Sequence, residues 1–271
     1  MPSAPPPAEA RSADALIHAA SFAAPSIVTY RFGTSQEATR PDRVMRPSTA
    51  AILMVRRGGL FEHAGAGKAI PMPRLALLGP SDQGRIWSTA PGTEFTLVNL
   101  APGASRNLLG VDPREIADET EPLNGNALVA SLQEQLAGGP HALHTYLCNL
   151  MQAKSQLGHE HALRKHLVIN ALKMRRHGDQ VKDYADHFGV TPRTLQRMVH
   201  ESLGLTPKQV LGIERIRDLV SLTSGGWRRT RADLALCAGY FDQSHMRHEL
   251  LRHNFGQVGE LLDGDHIVND S

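Results

Sequence analysis

One short pattern occurs twice in the carboxy-terminal half of the chain, and no other feature limits the fold as much. Val181–Leu195 reads V-K-D-Y-A-D-H-F-G-V-T-P-R-T-L, and Arg231–Met246 reads R-A-D-L-A-L-C-A-G-Y-F-D-Q-S-H-M. In each copy an Asp is followed two positions on by Ala and four further on by Gly, ahead of an apolar residue, Leu195 or Met246. The second copy has one extra residue between its Gly and that apolar position. Self-similarity of this kind marks a repeated supersecondary unit. A helix-turn-helix needs these residue types in this order. A small side chain, Ala185 or Ala235, lets two helices cross closely, and Gly189 or Gly239 accepts the left-handed backbone that reverses the chain. Leu195 and Met198 then pin the second helix, whose opposite face is free to enter a major groove.

The flanking sequence extends this helical reading over residues 161–262. Thr191-Pro192 and Thr206-Pro207 each place a capping Thr before a Pro at the first helical position, and a helix from Pro207 to about Leu222 joins the two copies. On the first recognition helix, Arg193, Gln196 and Arg197 stand at i, i+3 and i+4 and face outward. Gln243, Ser244, Arg247 and His248 form the corresponding face of the second. Arg pairs with guanine and Gln with adenine through two hydrogen bonds each, so these faces suit base reading. The plainer alternative is two hairpins that share a packing solution and leave polar residues outside. Two copies within one basic block weigh against it.

The formal charge of +2 conceals that block. Residues 1–160 hold 13 Lys and Arg against 14 Asp and Glu, whereas residues 161–259 hold 16 against 9 and eight of the 14 histidines. The last segment, 260–271, carries four acids and no base. A basic excess confined to the repeat region points to a polyanionic partner there. Aromatic residues make up only 5% of the chain, which disfavours a platform that stacks single-stranded bases.

Residues 164–262 resemble the DNA-binding domain of AraC/XylS-type transcription regulators. The matching residues are Thr191-Pro192-Arg193-Thr194-Leu195-Gln196-Arg197, Leu203-Gly204-Leu205-Thr206-Pro207 and Ala238-Gly239-Tyr240-Phe241-Asp242-Gln243-Ser244-His245-Met246. The resemblance implies two helix-turn-helix units on a rigid linker helix, set about one DNA turn (~34 Å) apart. It places base contacts on Arg193, Gln196 and Arg197, then on Gln243, Ser244 and Arg247, and DNA backbone contacts on Thr191, Thr206 and His248. The chain departs from the family where Gly256-Gln257-Val258-Gly259 stands for Gly-x-x-Pro, in an extra residue between Leu250 and Gly256, and in His248 for the usual Arg.

The amino-terminal half reads differently. Residues 1–25, opening with Pro5-Pro6-Pro7, are expected to be a flexible tail. Ala15–Ala24 is mildly apolar, but Asp14 and His18 dilute it and only Arg11 flanks it, so no signal peptide is expected. From Ser26 to about Pro122, β-rich runs such as Ile27–Tyr30, Ala50–Val55, Leu75–Leu78 and Phe95–Leu100 alternate with Gly and Pro turns, which suggests a small antiparallel sandwich or barrel. A helical stretch is expected from about Asp112 to Gln156, including an apolar-periodic segment through Leu143, Leu147 and Met151, and residues 112–156 are a candidate homodimer region. Residues 26–122 resemble the cupin-like β domain that regulators of this type use to bind an effector or to dimerise. Arg56-Arg57-Gly58 with Leu78-Gly79-Pro80-Ser81 resembles a subgroup without a well-defined ligand.

A rival reading is a cupin-type metal-dependent enzyme, or a ligand sensor, fused to a DNA-anchoring module. Such metal chemistry needs converging imidazoles and a carboxylate, and residues 26–122 contain a single histidine, His63. His141, His144 and Cys148, followed by His159-Glu160-His161, have ligand-like spacing, though a packed helix face accounts for them equally. Cys237 is expected to be a small core residue. No phosphate-binding loop, nucleophile elbow or dinucleotide fingerprint occurs, so no enzymatic activity, cofactor or metal is expected. Two cysteines fit a reducing compartment, and no run approaches the ~18 apolar residues of a membrane helix.

The expectation is therefore an α+β chain: a small antiparallel β, cupin-like domain with a helical extension over 26–156, then an all-α double helix-turn-helix over 164–262. Its expected role is a cytoplasmic, sequence-specific regulator that binds double-stranded DNA and takes a small-molecule effector, a second copy, or both through its first half. Imidazoles gain charge as pH falls below about 6.5, so affinity for any duplex should rise there at fixed salt. Binding that stays flat between mildly acidic and neutral pH would place the eight histidines away from DNA.

Overall fold

A computed structural model describes residues 26–31, 43–45, 49–63, 69–124, 127–155, 167–172, 180–224 and 230–255. The expected tail, the His159-Glu160-His161 run and the Gly256–Gly259 segment lie outside the described residues.

Among the described residues, nine antiparallel strands form two sheets. Strands β1 (Ser26–Arg31), β8 (Glu94–Asn99), β3 (Ala51–Arg57), β6 (Leu75–Leu78) and β9 (Thr120–Pro122) form a five-stranded sheet in that order. Strands β2 (Arg43–Met45), β7 (Arg85–Thr89), β4 (Leu60–His63) and β5 (Ala69–Pro71) form a four-stranded one. The two-residue period of a strand decides the layers. Ala51, Leu53 and Val55 of β3 join Leu60, Trp87, Phe95 and Leu97 in one core, with Trp87 and Phe95 edge to face at 5.8 Å. Ile52 and Met54 point the other way, into a second core shared with the helices. The continuous apolar runs visible in the sequence are thus strands covered on both faces.

The second core is closed by α1 (Ala104–Leu109), α2 (Ala127–Ala137) and α3 (Pro140–Ser155). One expectation needs correction here. The helical stretch does not begin near Asp112: residues 120–122 pair as edge strand β9 with β6, where Pro122 needs no donor on its outer side. The apolar stripe expected on this helix is present, and its Leu143 and Leu147 are fully buried within this chain in the core shared with the sheet.

The second half is helical: segment 167–172, α4 (Val181–His187), α5 (Pro192–Leu203), α6 (Pro207–Ser224), α7 (Arg231–Cys237) and α8 (Gln243–Arg252). Its apolar residues form two clusters, and α6 serves both. Val210, Leu211 and Ile213 pack with α4 and α5, whereas Ile216, Leu219 and Val220 pack with α7 and α8.

Loops of the β half meet this helical half along a polar seam. The Gly103 N–H donates to the Ser202 carbonyl at 2.8 Å, and the Gly84 N–H donates to the His253 carbonyl at 2.7 Å. Gln209 donates from Nε2 to Asp82 Oδ2 at 3.1 Å. Buried His253 donates from Nδ1 to the Asp82 carbonyl, and because a carbonyl only accepts, its proton sits on Nδ1. Gly204 ends α5 with φ +72°, and a Cβ there would lie 2.5 Å from the Pro113 carbonyl oxygen and 2.8 Å from Pro80 Cγ. Gly204→Ala should therefore cost at least about 1–2 kcal/mol from left-handed backbone alone, with the clash adding to it. A urea unfolding midpoint equal to that of the parent would show that the seam is loose.

Candidate nucleic-acid interface

Each helix-turn-helix is built by the same local devices. The Asp of the repeat starts the first helix: the Gln180 N–H donates to Asp183 Oδ2 at 2.6 Å, and the Thr230 N–H to Asp233 Oδ2 at 3.2 Å. Ala185 and Ala235 are fully buried where the helices cross. Gly189 at φ +59° and Gly239 at φ +82° then reverse the chain. In both turns the next N–H closes onto the crossing Ala carbonyl: Val190 to Ala185 at 3.0 Å and Tyr240 to Ala235 at 2.9 Å.

The second helix of each unit opens on a side-chain cap. Thr191 Oγ1 accepts from the Thr194 N–H at 3.2 Å, and Asp242 Oδ1 accepts from the His245 N–H at 2.7 Å. Pro192 follows Thr191 at the first helical position. The extra residue of the second copy lies in its turn. Two steps separate Gly189 from its cap and three separate Gly239 from its cap, and the residue gained, Phe241, is 85% exposed.

Counted from the caps, the two recognition helices are in register. Leu195, Met198, Val199 and Ser202 are buried in α5, and Met246, Glu249, Leu250 and His253 occupy the same four steps at α8. Arg193, Gln196, Arg197 and His200 are exposed on α5, and Ser244, Arg247, His248 and Leu251 hold the equivalent exposed steps on α8. Every residue of these two helices assigned a DNA contact from the sequence is exposed. The alignment, however, matches His248 to Arg197 and matches Gln243 to Pro192 rather than to a reading position.

Thr206 is placed differently from the others. Its N–H and Oγ1 both lie 2.9 Å from Gln209 Oε1, and its Oγ1 accepts from the Gln209 N–H at 3.3 Å, so it caps α6 beside the seam. Cys237 is exposed rather than in the core. The buried stripe of α7 runs through Leu234, Ala235 and Ala238, which leaves positions 236 and 237 outside.

Sequence reasoning missed the charged pair behind the second recognition helix. Arg215 of α6 grips the inward-facing Glu249 with both ends of its guanidinium, Nε to Oε2 at 2.7 Å, with side-chain exposures of 15% and 10%. The Arg215 guanidinium also lies 5.9 Å from the Tyr240 ring centroid. Glu249 takes the step that Met198 fills in the first unit, so a fork of hydrogen bonds replaces an apolar contact. No local pattern announces it, because the partners stand 34 residues apart.

In the β half, His63 Nε2 lies 2.7 Å from Ser88 Oγ, and His144 contacts Cys148 at 3.8 Å. Burial pushes the Cys148 thiol up from its ordinary pKa, which lowers its thiolate fraction. Among the described residues no three His, Cys, Asp or Glu side chains gather as a metal site, and no helix is long and apolar enough to cross a membrane.

Arg215→Met should destabilise the chain by about 3–5 kcal/mol, because Glu249 is left buried and unpaired, and adding Glu249→Leu should recover most of the loss. Urea denaturation of the single and double variants checks this. A single variant within about 0.5 kcal/mol of the parent would mean that the pair does not brace α8.

No protein-family model matches the sequence, and no curated protein matches it. Among solved structures, unsaturated-fatty-acid-bound ToxT from Vibrio cholerae strain SCE256 is similar at 11% identity and TM-score 0.47, over 88% of this chain and 95% of that one. The C-terminal domain of AraT, a response regulator from Geobacillus stearothermophilus, is similar at 15% identity and TM-score 0.34, over 43% and 94%. The AraC-like transcriptional activator CuxR is similar at 16% identity and TM-score 0.27, over 73% and 74%. None of these scores reaches 0.5, and what the molecule does has to follow from its own geometry.

Proposed function

We propose that this chain is a sequence-specific DNA-binding transcription regulator that reads two successive major-groove segments. The observation that supports this most directly is the register of α5 and α8: counted from equivalent caps, both bury the fourth, seventh, eighth and eleventh steps and expose the second, fifth, sixth and ninth. A single exposed polar face is ordinary. Two faces repeated in cap, turn and crossing, within a basic half, suit a partner whose own surface repeats.

In this reading the units divide as 164–262 for DNA and 26–156 for control, and the protein works in the cytoplasm. Arg193, Gln196 and Arg197 contact bases in the first segment, and Ser244 and Arg247 do so in the second. Gln243 stands at the amino end of α8, within reach of the same groove. His248 takes the place of Arg197 by register, and its single ring offers a shorter, weaker contact to base or backbone than a guanidinium. Thr191 lies beside the DNA backbone at the start of α5, and Thr206 at the start of α6, where Gln209 already holds both its N–H and its hydroxyl. The β half would bear an effector or a second copy through surface other than the Leu143–Leu147 stripe.

Arg197→Ala should cost about 1–3 kcal/mol at one base position and relax preference there, with other positions unchanged. Competition binding against single-base variants of the preferred duplex measures this. An equal loss on every duplex would make Arg197 a phosphate contact and leave base reading in the first unit without its main support.

A further inference from the structure

We infer that a basic cleft between the two helix-turn-helix units seats the phosphate backbone of the DNA that separates their two groove segments. This rests on the DNA-binding reading above and adds a site to it. The cleft has a volume of about 570 Å³ and is walled by three elements. Lys182 comes from the amino end of α4, Lys208 and Arg215 from the amino half of α6, and His245, His248 and Arg252 from one side of α8. Among its described lining residues the one acid, Glu249, is already held by Arg215. Lys182, Lys208 and Arg252 are all exposed, and none forms an ion pair among the described residues.

Three cations without an ion pair among the described residues, gathered in one concavity, repel one another, and a cleft focuses their field on whatever anion enters. The placement selects among anions. When a helix-turn-helix docks, its first helix crosses the DNA backbone, which brings the amino end of α4 to a phosphate strand. On α8, positions 245, 248 and 252 form the stripe next to the outward stripe of 244, 247 and 251. One helix therefore turns its reading residues into the groove and the adjoining stripe towards the flanking phosphates. Because both units and α6 contribute walls, an occupant that touches all three lies between the two groove segments. A small polyphosphate has the same chemistry as a strand of phosphates, and the test separates them.

Lys182→Gln, Lys208→Gln and Arg252→Gln, alone and together in the full chain, should weaken binding to a preferred and to an unrelated duplex by the same factor. Each should reduce the slope of log affinity against log salt by about 0.9. Neutral methylphosphonate linkages placed between the two groove segments should weaken the parent but not the triple variant. Unchanged thermal melting shows that the variants fold, and Lys182→Arg should keep the parental slope. If the parent prefers its duplex and the triple variant keeps the parental slope, the cleft does not hold DNA, while the DNA-binding reading stands. If the triple variant loses binding of inorganic tripolyphosphate but keeps that slope, the occupant is a small anion and the backbone seat is overturned. If the parent binds no duplex in a salt-dependent way, the seat falls together with the reading beneath it.

Discussion

The arrangement of the carboxy-terminal half depends on helix α6 being buried at both ends in different cores. Val210, Leu211 and Ile213 belong to the first hairpin, and Ile216, Leu219 and Val220 to the second. Moving one hairpin against the other exposes one of these sets, and each fully buried aliphatic side chain is worth about 1.5–3 kcal/mol. The linker is therefore a beam rather than a tether. Its 18 residues span about 27 Å at ~1.5 Å per residue, on the order of one turn of DNA. The Arg215–Glu249 fork braces the second hairpin on that beam, and the basic cleft opens in the angle between beam and hairpin.

The β half takes hold of this assembly at two equivalent points. Ser202 and His253 stand eleven steps beyond their respective caps, and the carbonyl of each accepts a glycine N–H from a loop of the β half. Both recognition helices are thus fastened at their carboxy-terminal ends to one rigid sheet domain. The contacts are polar, individually worth about 0.5–1.5 kcal/mol, and suit a joint that can yield better than an apolar core would.

The parts of this structure legible in the sequence are those encoded by neighbours. Asp183, Ala185 and Gly189 act within ten residues of one another, so their repetition at 233, 235 and 239 could be read directly. Strands β3 and β6, covered on both faces, appear as unbroken apolar runs, and β8 as one broken only by the buried Thr96. Strands β4, β5, β7 and β9 leave no such run because they are short and only partly covered, as in the mostly half-buried Arg85–Thr89. The stripe through Leu143 and Leu147 was real, but periodicity alone does not tell whether the covering surface comes from the same chain or another. The fork at Glu249, the seam at Asp82 and His253, and the cleft are all products of long-range folding. A buried Glu and an exposed Cys237 are not distinguishable from their opposites by spacing alone.

The most direct test of two-unit reading is selection of bound fragments from a random duplex library by the full chain at near-physiological salt. Enrichment of two sequence blocks whose centres lie about one helical turn apart is the predicted result. A single block, or retention without any preference that fades as salt rises, would contradict it.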